Sequence, residues 1–286
     1  MPTGNPQTPV TMRKTPVILA LCCCMSASPL YASFEFTPSD PRGLAMAGAM
    51  AAVDGDAFGM LYNPASPSLS KGISIDAAYA VPYGEKQLAT TAVAASWASL
   101  PFDHDGTLSS AGERFAPNGY QERTVSIGYS RTLASSIHAG ISISRMSLRI
   151  DGFPDRAATG VNAGLVAELR PGLMLGISSF NLNSPTIGAS KIPVPRTTLA
   201  GLSYRFENGN LLTTDVQGNP DGPGRILTAG EFRLMPSIVV MMGAGTNPSV
   251  ISAGARFGNG PVRATGAVSR NIDLGTTAAF GLEFKL

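Results

Sequence analysis

Two histidines, His104 and His138, are the whole imidazole supply of this sequence, and its three cysteines, Cys22, Cys23 and Cys24, sit side by side near the N-terminus. Zinc-type sites need several such ligands drawn together, so no metal is expected. Ser136, Ser142 and His138 share a neighbourhood and could be read as a nucleophile and its base, but lining a lumen or a strand end is the simpler role for His138. No Gly-x-Ser-x-Gly elbow, phosphate-binding glycine loop or zinc-protease helix motif accompanies them. Asp54 and Asp56 could serve as an acid pair or calcium ligands; flanking Gly55, they fit better as caps and anchors of a turn. No enzyme activity and no cofactor are therefore expected. The 21 basic and 19 acidic residues are scattered along the chain, for a formal net charge of +2. The basic footprint of a nucleic-acid binder is missing.

The elements around these residues are those of an exported protein. Arg13 and Lys14 precede an apolar run from about Val17 to Ala27, and small residues lead to a cleavage point after Ala32. This is the layout of a secretory signal peptide, with translation starting at Met1 or Met12. Cleavage there leaves no cysteine in the mature chain. Leu19-Ala20-Leu21-Cys22 is a loose lipobox, and Leu21 is large for the position before the cysteine. Charged residues are only 14% and glycines number 32, against about a quarter charged in an ordinary soluble domain. Beyond the signal no apolar run reaches the roughly 18 residues of a membrane-spanning helix. If the chain crosses a bilayer, it does so as a closed barrel.

The alternation of side chains favours that barrel. Val125, Ile127 and Tyr129 alternate with Ser126, Gly128 and Ser130; Ile137, Ala139, Ile141 and Ile143 alternate with His138, Gly140, Ser142 and Ser144. The same period of two recurs at 161–169, 200–206 and 251–257, one face apolar and the other small or polar. Pro171-Gly172, Asn208-Gly209-Asn210, Asn247-Pro248 and Gly258-Asn259-Gly260 mark tight reversals. Longer connections are expected over 101–121, 151–157, 183–195 and 218–224, giving the short-turn, long-loop asymmetry of outer-membrane barrels. The expected fold is all-β: an antiparallel transmembrane β-barrel of about 12–14 strands over 73–286, preceded by a signal peptide over 1–32 and a small N-terminal helical plug over 33–72. Small inward residues suit a lumen that another segment fills. A secreted β-sandwich or a solenoid also alternates, but no fixed repeat period is present. Arg145, Arg149, Glu168, Arg170, Arg205, Glu231, Arg233, Arg256, Arg263 and Glu283 fall inside strand segments; those facing inward are expected to pair across the lumen or fix the plug. The last segment sets Phe280, Leu282, Phe284 and Leu286 against Ala279, Gly281, Glu283 and Lys285 and ends at the terminus. It resembles the signal read by barrel-assembly machinery, with Leu286 where Phe is usual.

The stretch from Arg42 to Ser70 carries a sharper resemblance. A Gly- and Ala-rich run containing Gly43, Ala47 and Gly48 leads to Asp54 and to Asp56 beside Ala57, and then to Asn63-Pro64-Ala65. It resembles two related groups of Gram-negative barrels, the long-chain fatty-acid transporters (FadL-like) and the PorV/PorQ-like outer-membrane proteins. In both, this segment folds into the lumen as a plug or hatch. The resemblance departs from the usual pattern at Ser66 and Pro67, which precede Leu69 where Gly or Ala and then Leu would follow.

That resemblance implies an outer-membrane barrel that binds or passively transports hydrophobic small molecules through a plugged lumen, with release through a gap in its wall. The alternative is a non-transporting barrel that assists protein secretion or surface assembly by carrying a cargo protein, for which Phe102 to Tyr120 is the best outer segment. The expected partners are outer-membrane lipid, the assembly machinery and a hydrophobic ligand or secreted cargo.

Overall fold

Period-two sequences whose odd positions are Ile, Val and Leu and whose even positions are Ser, Gly and Asn can bury one face only against lipid or a partner sheet. The computed structural model, which describes Met1 and residues 33–219 and 223–286, closes them into a ring. The signal-peptide reading and the three cysteines lie outside the described residues, as does the middle of the 218–224 connection.

The strands are β1 (Ile73–Val81), β2 (Thr90–Leu100), β3 (Asp103–Phe115), β4 (Tyr120–Ala134), β5 (Ile137–Ile150), β6 (Arg156–Arg170), β7 (Leu173–Phe180), β8 (Thr186–Ile187), β9 (Ile192–Pro193), β10 (Thr197–Arg205), β11 (Leu211–Gly218), β12 (Arg225–Met235), β13 (Ile238–Gly245), β14 (Val250–Phe257), β15 (Val262–Asn271) and β16 (Gly275–Lys285). β8 and β9 form a separate ribbon; the other 14 make one closed antiparallel barrel, with β1 sealed against β16 from Ser74↔Lys285 to Val81↔Ala278. Ile127, Ile141, Ile143 and Val161 face outward and are exposed, whereas Ser126, Ser142, Ser144 and Asn162 on the alternate positions are buried in the lumen. Among the described residues no helix is long and apolar enough to cross a membrane.

One expectation is corrected. The segment 101–121 is not an extended loop: Asp103–Phe115 is β3, laddered to both neighbours from Thr90↔Phe115 to Leu100↔Asp103 and from Gly106↔Arg131 to Phe115↔Glu122. Its flanking prolines and its charges hide a strand whose place is fixed by the hydrogen-bonding edges of β2 and β4. Among the described residues every neighbouring pair in the ring is laddered, but the β6–β7 ladder covers only Ala163 to Arg170 of β6. Where short β7 leaves the outer half of β6 without a strand, Asn183 stands in for one. Its Oδ1 accepts from the Val161 N–H at 2.9 Å and its Nδ2 donates to the Thr159 carbonyl at 2.9 Å.

One rim carries compact turns, at 101–102, 135–136, 171–172 and 236–237, together with the C-terminus; the other carries 82–89 and the ribbon-bearing 181–196 connection. By the usual asymmetry of such barrels the second rim is the outer one.

Candidate functional site

The segment before β1 has too little regular structure to satisfy its own backbone, and in a lumen each unpaired N–H or C=O is costly. Among its described residues only Pro41–Ala45 is α-helical (α1), followed by single 3-10 turns at Ala57–Leu61 and Ser66–Leu69. The wall supplies the missing partners. Ser252 Oγ donates to the Ala45 carbonyl at 2.9 Å, Ser203 Oγ to Ala52 at 2.7 Å and Ser178 Oγ to Tyr62 at 2.7 Å. Asp215 accepts from the Ala51 N–H at 2.7 Å and Asp76 from the Ala57 N–H at 2.7 Å. The small and polar lumen face is thus the complement of an irregular plug.

The residues singled out in the sequence divide between two walls. Gly43 lies in α1, where a Cβ would stand 1.9 Å from the Tyr62 hydroxyl oxygen, and Ala47 (φ 50°) and Gly48 (φ 86°) turn the chain after it. Asn63, Pro64 and Ala65 sit on the opposite wall. Asn63 Nδ2 donates to the Ala51 carbonyl at 2.7 Å and the Leu165 carbonyl at 3.2 Å, while its Oδ1 accepts from the Ala65 N–H at 3.0 Å. Asp54 and Asp56 do not cap: the turn that begins after Asp56 has no side-chain cap bond. They are anchors. The Asp54 carboxylate pairs with Arg205, and Asp56 pairs with Arg42 at 3.3 Å. Phe280, Leu282 and Phe284 face outward on β16, and Leu286 follows the strand, its N–H bonded to the Ile73 carbonyl at 2.8 Å. His138 Nδ1 lies 3.0 Å from Ser68 Oγ and 3.2 Å from Thr132 Oγ1, whereas Ser142 bonds Asn162.

The centre of the arrangement is Arg42, which the sequence presented only as part of a run. It is 5% exposed, and its guanidinium reaches Glu231 at 2.6 Å, the Asp54 carbonyl at 2.6 Å and Asp56 at 3.3 Å. Asp40 was missed as well, although Asp followed by Pro is a recognisable helix start. It caps α1 by accepting from the Gly43 N–H at 2.8 Å and also accepts from the Tyr62 hydroxyl. Burial, with repulsion from Asp56 second, lifts the Asp40 carboxyl to about 6, against the opposing bonds from Gly43 and Tyr62 and the charge of Arg42. A raised carboxyl takes up its proton in the seated plug before it does so in a solvated one. Its contribution to seating is therefore greatest below the ordinary value of 3.8 and declines as pH rises to about 6. Protease protection of the plug should lose this component in Asp40→Asn; identical pH profiles for the two proteins would refute the assignment.

Above the plug, toward the outer rim, the lumen opens into a chamber of about 670 Å³, inside the roughly 300–1,000 Å³ range of small-molecule pockets. Phe34, Phe36, Phe115, Met146 and Phe180 give it apolar patches, and Ser126, Ser142, Ser144 and Asn162 a hydroxyl and amide wall. Met60, Leu61 and Tyr62 of the plug line it too. Phe36 packs edge-on to Tyr62 at 5.9 Å and against Phe180 at 5.3 Å. The chain before it reaches the outer half of the wall, where the Phe34 N–H donates to Glu122 at 3.0 Å.

This geometry has solved counterparts. A structure described as the CymD monoaromatic hydrocarbon channel superposes with a TM-score of 0.66 at 12% identity, covering 89% of this chain and 99% of that one. The Ralstonia pickettii toluene transporter TbuX gives 0.66 at 11% identity over 89% and 100%. A Pseudomonas aeruginosa FadL homologue gives 0.59 at 11% over 86% and 98%. The chain has the fold of these barrels. No protein-family model matches the sequence, and no curated protein sequence does so either. At such identities the likeness is one of fold; the plug contacts above are this chain's own.

Proposed function

We propose that this protein is an outer-membrane barrel that admits hydrophobic small molecules into its outer chamber and passes them by a movement of the plug. The observation that carries the reading is the aromatic-lined chamber floored by a plug that is held by wall side chains rather than by a core of its own. The fold shared with barrels described as hydrocarbon channels and a toluene transporter supports it. Because the one unladdered stretch of the described wall, the outer half of β6, is covered by Asn183 of the 181–196 connection, the exit we propose runs past the plug rather than sideways. The chain acts without catalysis; it is exported by a cleaved signal peptide, and its terminal strand, with Phe280, Leu282, Phe284 and Leu286, is read during assembly. The secretion alternative wanted an extended outer segment at Phe102–Tyr120, and most of that segment is β3.

Cells with an intact outer membrane that express the protein should take up a labelled monoaromatic such as toluene several-fold faster than cells without it. A bulky polar substitution in the chamber, Phe180→Arg, should abolish the gain while the heat-dependent gel mobility of a folded barrel persists. Uptake indistinguishable from that of non-expressing cells would refute the reading.

A further inference from the structure

The outward face of β3, β4 and β5 changes character at one height. On β4 the outward row runs through Tyr129, Ile127 and Val125 and then reaches Arg123; on β5 it runs through Ile141 and Ile143 and then reaches Arg145 and Arg149; on β3 Leu108 and Ser110 lead to Arg114. All four arginines are exposed. Register groups them around Arg123. Arg114 is its direct partner across the β3–β4 ladder, and Ser147 is its partner on β5, which puts Arg145 and Arg149 two residues to either side. Direct partners on one face have Cβ atoms about 5 Å apart and diagonal ones about 7–8 Å apart.

Among the described residues nothing neutralises this cluster fully. Arg149 meets Asp155 at 3.4 Å with both side chains 67% exposed, and Arg145 donates to the Thr159 hydroxyl at 3.2 Å. Among the described residues Arg114 and Arg123 have no acidic partner. The acids next to them in sequence point the other way: Glu113 accepts from Ser39 and Glu122 from Phe34, both in the lumen. Like charges placed directly opposite on one face of a sheet cost stability, unless an anion lies between them.

Position identifies the anion. Arg131, near the inner rim, and Arg123 lie eight residues apart on the same outward row of β4, about 27 Å along a strand. Tilt reduces this to about 20 Å of height, close to the roughly 25 Å apolar band of such barrels. The cluster therefore stands where the headgroups of the outer leaflet begin. Guanidinium groups match phosphate oxygens two by two. The geometry points to Arg114, Arg123, Arg145 and Arg149 as a binding site for the phosphorylated headgroup of an outer-leaflet lipid.

The folded protein in detergent micelles, equilibrated with a bis-phosphorylated glucosamine-disaccharide lipid or with its dephosphorylated form, tests this by native mass spectrometry of the retained lipid. The wild type should retain the phosphorylated lipid preferentially. The Arg114→Gln, Arg123→Gln double variant should lose roughly twenty-five-fold of that preference, at about fivefold per basic residue near a charged membrane surface. Arg233→Gln, at the opposite rim, should retain it. Heat-dependent mobility shows that each variant is folded. Equal retention of the two lipids by the wild type, or an unchanged preference in the double variant, would overturn the assignment.

Discussion

Arg42→Ala is expected to unseat the plug while leaving the barrel closed. The side chain is 5% exposed and is the nearest cation to both Glu231, at 2.6 Å, and Asp56, at 3.3 Å. Without it, among the described residues, Glu231 keeps only Arg256, at 3.9 Å, and Asp56, whose Oδ1 has no protein partner among them, loses its ion pair. Removing one member of a buried, hydrogen-bonded ion network costs about 3–5 kcal/mol, because the remaining charges stay desolvated. That penalty falls on the seated plug, since a displaced plug exposes Glu231 to lumen water. The backbone around Arg42 shows how closely the site is fitted: a Cβ on Gly55, at φ +148°, would lie 2.0 Å from the Arg42 Nη1. Arg42→Lys should recover only part of the loss, since an ammonium cannot reach Glu231, Asp56 and the Asp54 carbonyl together as a fork does. Limited proteolysis of the folded protein reads the result. Cleavage between Leu44 and Leu61 should accelerate by at least a hundredfold in Arg42→Ala, on the factor of ten per roughly 1.4 kcal/mol, with the heat-dependent mobility of the barrel retained. Wild-type protection in that variant would mean that the network does not hold the plug.

What could be read in advance, and what could not, separates along the same line between local pattern and distant contact. The alternation around Ile127 and Ile141 is a local property of the chain, and it sufficed to give strands, faces and an all-β barrel. β3 escaped because its only strongly apolar outward residue is Leu108 and its ends carry Asp103, Asp105, Glu113 and Arg114 between Pro101 and Pro117; its strand character is conferred by two neighbouring edges. In the plug, the run from Gly43 to Ala65 was conspicuous, but the roles of its residues depend on partners 100 to 200 positions away, such as Leu165 for Asn63 and Glu231 for Arg42. For Asp54 and Asp56 the sequence suggests both capping and anchoring but cannot name the anchor, since capping is decided within a few residues whereas Arg205 is 151 residues from Asp54. The basic cluster of β3–β5 was visible only as separate arginines until the register placed Arg114 opposite Arg123.

Gly176→Val should have the second large effect, and its cause is steric. Gly140, Gly164 and Gly176 lie on adjacent strands, with Gly140 paired to Gly164 and Gly176 paired to Val166. A Cβ on Gly176 would stand 1.9 Å from the Ala51 carbonyl oxygen and 2.4 Å from its carbon; one on Gly140 would stand 2.1 Å from the Pro64 carbonyl oxygen. Both obstacles are plug backbone, which cannot rotate away as a flexible side chain would. At Gly164 the first obstacle is the Asn63 side chain, at 1.9 Å, the group that ties the plug to β6. These three positions form a trough into which residues 51–65 press, and filling it leaves the plug nowhere to lie. Overpacking ordinarily costs about 1–3 kcal/mol, and with backbone as the obstacle the upper end applies, which corresponds to roughly a hundredfold more of the open state. The ladder itself tolerates valine well, so the barrel should survive. Gly266→Val supplies the comparison, since a Cβ there meets nothing within 4 Å. In planar bilayers Gly176→Val should show frequent ion-conducting openings and Gly266→Val should remain as quiet as the wild type. If both variants are equally silent while folded, the plug does not depend on the glycine trough, and the movement proposed for passage must begin elsewhere in the lumen.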